Sequence, residues 1–177
     1  MQNDGAFTWA SPLGISVLLF LAYGALYVFV GVVAGLVVSG ALSGALGPDV
    51  SSRALFNTTA SDKAAFGLER EPLEILSNDP VFAAVRRLLL IVVSGLLTAA
   101  GTLVIAIAWF GLREGQAWAL IALTVAGLAV IPFWWVALLP YVRAGIPLTP
   151  LHIPPFMNIA ALVVPAAILG WLGLRTP

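Results

Sequence analysis

Residues 88–110, LLLIVVSGLLTAAGTLVIAIAWF, run from Leu88 to Phe110 without a charged side chain. A helix needs about 20 mainly apolar residues to cross the hydrocarbon core of a bilayer. In lipid an unpaired backbone N–H or C=O is costly, so an uninterrupted apolar run of this length forms a helix and not an isolated strand. Three further runs share this character: Ile15–Leu42, Trp118–Leu139 and Phe156–Leu174, again without charge. The sequence therefore predicts an all-α integral membrane protein. It is read as one membrane domain over residues 1–177, a four-transmembrane-helix bundle with a partly helical, extramembrane connection of about 40 residues, 43–82, between the first and second helices.

Composition agrees with this reading. The 177 residues are 61% hydrophobic and 9% charged, with a mean hydropathy of +1.06, whereas soluble domains are about 25% charged. A water-soluble fold of this length has too little interior to hide so much apolar surface. Eight Lys plus Arg balance eight Asp plus Glu, which leaves no basic excess for nucleic acid. The chain has no cysteine, and disulfides, thiolate metal sites and iron–sulfur clusters are thereby excluded. The first twelve residues carry Asp4 and no Lys or Arg, so the first apolar run is expected to be a retained span and not a cleaved leader.

Local signals refine the spans. The first run is longer than a bilayer requires and should tilt or protrude. In SNDPVFAAVRR, Asp79 suits an N-cap and Pro80 a first helical turn, so the second helix should begin before its apolar part. Arg86 and Arg87 then reach the headgroup level, where their stems can snorkel. FGLREGQAW, with Gly111 and Gly115 around Arg113 and Glu114, is a short link that predicts antiparallel neighbours. Trp109 and Trp118 flank it as interfacial anchors. Trp134, Trp135 and Arg143 fill that role at the other surface, with Phe133 and Tyr141, unless the Phe-Trp-Trp run faces a neighbour. Pro132 and Pro165 should bend the third and fourth spans. Within 43–82 a short amphipathic helix is expected after Pro72, and Asn57 heads a glycosylation sequon of a kind frequent by chance.

Orientation follows from Lys and Arg. Arg53, Lys63, Arg70, Arg86, Arg87 and Arg143 fall on one side, Arg113 and Arg175 on the other. Cytoplasmic loops carry the excess of these residues. The expected location is a plasma membrane of bacterial type, with the 43–82 connection cytoplasmic and both termini outside.

Candidate sites are few. Gly31, Gly35, Ser39 and Ser43 step by four and form a small-residue face for helix packing or a partner chain. Ser94, Thr98 and Thr102 do the same; their hydroxyls return to the preceding turn or form a polar seam for a ligand. No Asp, Glu, Lys, Arg or His lies inside a span, which argues against a catalytic set, a proton relay or an ion site. His152, the only histidine, is fenced by Pro147, Pro150, Pro154 and Pro155. A protein-only metal site would need further ligands nearby, so the sequence predicts a rigid loop there, with a single axial bond to a haem or pigment metal in reserve.

These features point to a non-catalytic accessory or scaffolding subunit of a larger membrane complex, in contact with lipids and other integral membrane subunits. The alternative is a stand-alone binder or carrier of lipid, quinone or another small apolar ligand, its pocket formed by the kinked third and fourth helices and the Ser/Thr seam.

Overall fold

The computed structural model of the chain describes residues 7–39, 80–146 and 158–175. Ser43, His152, Asn57, Asp79, the rest of the 43–79 connection and the side chain of Arg86 lie outside the described residues. Among the described residues the protein is all-helical, without a strand. Five α-helices follow one another: α1 Pro12–Ser39, α2 Pro80–Ile107, α3 Ala117–Ala129, α4 Ile131–Arg143 and α5 Val163–Arg175.

Three stretches are long and apolar enough to cross a membrane: Pro12–Ser39, Arg87–Leu112 and, α3 and α4 taken together, Ala117–Arg143. The last helical stretch, Ala160–Arg175, is apolar but shorter.

The helix ends follow local chemistry. Ser11 caps α1: its Oγ accepts the Gly14 N–H (3.0 Å) and donates to the Thr8 carbonyl (2.7 Å). Pro12 occupies the first helical position, where no N–H is needed. The helix thus begins one turn before the apolar run suggests. α2 ends in a wide turn, Ala108–Leu112, in which the Arg113 N–H reaches back five residues to the Ala108 carbonyl (3.0 Å). Gly115, at φ +72°, then reverses the chain. Its N–H donates to the Leu112 carbonyl and the Gln116 N–H to the Gly111 carbonyl, the paired closure that a left-handed residue makes possible.

The third expected span is two helices in series. Val130 joins them, and Pro132 stands in the first turn of α4, a tolerated place for a residue without an N–H. The helix runs through Pro140 to Arg143, beyond the expected end at Leu139, and closes at Gly145, also at φ +72°. Pro165 lies inside α5, just after a tight 3₁₀ turn at Ala160–Leu162.

Helix α1 is the hub, packed most extensively on α2 and next on α5. Its buried positions, Val17, Phe20, Tyr23 and Tyr27, join Leu112, Leu120, Leu123, Val163 and Ala166 in one core. α5 lies against α1 through a hydrogen bond from Ser16 Oγ to the Ala166 carbonyl (2.6 Å) and through Gly173, which abuts Leu13. α3 packs on α5, with Val163 seated over Gly127 and Leu120 over Gly170. The paired residues along each interface run in opposite directions, so α1 is antiparallel to both α2 and α5, and α5 to α3.

Candidate ligand site

The helix order leaves a gap. α2 and α3 meet at their shared turn, where Gly111 lies against Ala119 and Trp118, but they pack little beyond it. α3 is drawn onto α5, and the residues it turns toward α2, Ala122, Ala126 and Gly127, are too small to close the space. The result is an apolar cleft of about 420 Å³ between α1, α2 and α3, within the size range of small-molecule sites.

Leu97, Ala100, Val104 and Ile107 of α2 line one wall, and Ala122, Leu123 and Ala126 of α3 the other. Among the described residues, Tyr23 and Tyr27 of α1 supply the only polar side chains in the lining. Their rings lie 4.7 Å apart between centroids, as expected for residues four apart on one helix face. Both are buried, Tyr27 at 8% exposure. Its hydroxyl makes no hydrogen bond of good geometry; the Tyr23 hydroxyl is its polar neighbour. Such an unsatisfied buried group costs about 1–3 kcal/mol.

The two small-residue stripes meet each other. A Cβ at Gly31 would stand 2.5 Å from Thr98 Oγ1, and one at Gly35 would touch Ser94. The hydroxyls of Ser94, Thr98 and Thr102 donate to the carbonyls of Leu90, Ser94 and Thr98 (2.7 to 2.8 Å). Thr102 is exposed. None of the three lines this cleft, and neither does α5; a smaller apolar pocket of about 240 Å³ lies between α3 and α5, lined by Leu120, Thr124, Ala167 and Trp171. Ser39 Oγ bonds back to the Leu36 carbonyl.

The anchor residues sort to the helix ends. Arg87 Nη2 donates to the Ser39 carbonyl (2.8 Å), which gives the C-terminus of α1 a cationic partner. At the opposite end Arg113 stands over Trp109, 4.6 Å from its ring centroid, and 5.7 Å from that of Phe7. Trp9 completes this group, 4.8 Å from Phe7 and 6.2 Å from Trp109. Arg175 covers Trp171 at 4.3 Å. Trp118, Trp135 and Arg143 are exposed, while Trp134 packs partly against the core. Glu114 is the one carboxylate among the described residues.

Sequence reasoning passed over Tyr23, Tyr27, Phe7 and Trp9. The signal for the tyrosines was present: two phenols four residues apart in the middle of an otherwise aliphatic span, where a polar tip needs a reason.

Fold and cleft define a class, that of all-helical proteins with long apolar helices and an apolar groove between them. Compared with protein-family profiles, curated proteins and solved structures, the chain matches none.

Proposed function

We propose that this is an integral membrane protein that crosses the bilayer four times and binds a small apolar molecule in the cleft between α1, α2 and α3. The buried hydroxyl of Tyr27, which has only the Tyr23 hydroxyl beside it and no hydrogen bond of good geometry, carries the reading in an otherwise aliphatic lining. A cleft kept only by loose packing would contain no polar group, because a hydroxyl there is a liability without a partner.

Four crossings are supported by length. The last stretch is helical from Asn158 to Arg175, about 27 Å at 1.5 Å per residue, close to the roughly 30 Å of a hydrocarbon core. The ends also sort by charge: Arg113 and Arg175 stand at the end where α1 begins, and Arg87 at the end where it stops. The side bearing Arg87 and the 43–82 connection is assigned to the cytoplasm.

The scaffolding reading drew on the Gly31 stripe as a face for another subunit. That stripe is occupied along Gly31 and Gly35 by Thr98 and Ser94 of the same chain, and the ligand reading is therefore preferred.

Native mass spectrometry of the protein released gently from its own membrane tests the choice. A single chain carrying a discrete extra mass, lost in an Ala126→Trp variant that fills the cleft, is the expected result. Partner chains in fixed stoichiometry with no small molecule would overturn it in favour of a complex subunit.

A further inference from the structure

Resting on that reading, we infer that the ligand is a neutral lipophile bearing a hydrogen-bond acceptor of the carbonyl type, held near the bilayer midplane by Tyr27, and that it is not a phospholipid.

Depth is the first argument. α1 runs from Pro12 to Ser39. At about 1.5 Å per residue, Tyr27 lies about 22 Å from one end of the helix and about 18 Å from the other. A hydrocarbon core about 30 Å thick centred on this helix places the phenol within a few ångströms of the midplane. A phosphate or ammonium headgroup does not reach that depth without severe desolvation. A phospholipid brings only acyl chain ends there, and these offer no acceptor.

Chemistry is the second. A phenol carries one donor and can also accept, and an unmet donor in an apolar surround is the costly element. Water is a less complete solution, since a buried water makes about three hydrogen bonds on average and the lining supplies two hydroxyls. A carbonyl or ether oxygen accepts the O–H without bringing a donor that needs its own partner. The aliphatic walls of Leu97, Val104 and Leu123 then cover a hydrocarbon or ring portion.

The test uses the full chain in detergent, with thermal unfolding followed by circular dichroism while three probes are titrated: decylbenzoquinone, decylbenzene and dioleoylphosphatidylcholine. Binding to the folded state raises Tm in a dose-dependent way. Decylbenzoquinone is expected to raise Tm saturably and to bind more tightly than decylbenzene, which lacks the acceptor. Tyr27→Phe should weaken decylbenzoquinone about three- to tenfold, the worth of one hydrogen bond, and leave decylbenzene unchanged. Equal affinities for decylbenzoquinone and decylbenzene in the wild type, or equal decylbenzoquinone affinity in wild type and Tyr27→Phe, would overturn the inference while the cleft remains. Phosphatidylcholine displacing decylbenzoquinone at equal concentration would also overturn it. Failure of Ala126→Trp to weaken either decylbenzoquinone or decylbenzene would instead bring down the cleft reading beneath it. The comparison of probes on the wild type stands even if Tyr27→Phe folds poorly.

Discussion

Gly24 of α1 and Gly101 of α2 lie backbone against backbone: a Cβ at Gly24 would stand 2.8 Å from the Gly101 carbonyl oxygen, and one at Gly101 would stand 2.5 Å from the Gly24 carbonyl oxygen. Together with Gly31 over Thr98 and Gly35 over Ser94, the contact makes a seam that steps by seven and four residues on α1 and by three and four on α2. Such spacing keeps one face turned toward its partner along the whole interface. Without a hydrophobic drive between helices in lipid, close backbone approach is the principal source of association.

Enlarging this seam should be the most damaging change available in α1. Gly24→Leu or Gly101→Leu places side-chain atoms where a carbonyl already stands, and a loss of about 1–3 kcal/mol or more is expected from overpacking. Gly95→Ala is the control on the same helix, since a Cβ there meets nothing within 4 Å. Reversible unfolding of the purified variants in mixed micelles measures both, and equal behaviour of Gly24→Leu and Gly95→Ala would remove the seam from the account.

Ser16 Oγ joins α1 to α5 by a side-chain hydrogen bond, donating to the Ala166 carbonyl at 2.6 Å. Both residues are fully buried. Ser16→Ala should cost about 0.5–1.5 kcal/mol. Ser16→Val should cost more, because Gly170 packs directly on the serine hydroxyl and an added methyl would overpack that contact. The same unfolding assay orders the two variants.

Tyr27→Phe should leave the ligand-free protein as stable as the wild type or slightly more so, because it removes a buried hydroxyl with no partner and keeps the ring. With ligand present the order should reverse. Thermal unfolding before and after removal of bound lipophiles reads the sign, and a Tyr27→Phe protein destabilised by more than about 1 kcal/mol when ligand-free would show that the hydroxyl has a structural partner.

Arg87→Gln should fray the end of α1 without disturbing the core. The guanidinium donates to the Ser39 carbonyl, one of the final acceptors that no N–H within the helix reaches. Faster hydrogen exchange confined to the last turn, with the amides around Phe20 unchanged, is the expected pattern.

Much of the helical frame was legible in the sequence. Apolar runs near Ile15, Leu88 and Trp118 marked the three long helical stretches because lipid demands internal backbone pairing. Their ends were less legible. Ser11-Pro12 carried a cap signal that hydropathy overshadowed, and the apolar run ended at Leu139 although the helix continues to Arg143, where Gly145 supplies the closing turn. The cleft was not legible at all. It depends on α3 leaning on α5 through Gly127 and Val163, a contact between residues far apart in sequence.

Low charge and long uninterrupted apolar runs fixed the element type before any packing was considered: they specify helices long and apolar enough to cross a membrane. Only the tertiary structure decided which faces meet. α1 has almost no amphipathic contrast, so hydropathy does not mark its inner side. The choice falls to sterics, with glycines admitting backbones at Gly24 and Gly101, alanines leaving room at Ala122 and Ala126, and Tyr23 and Tyr27 filling the floor between them.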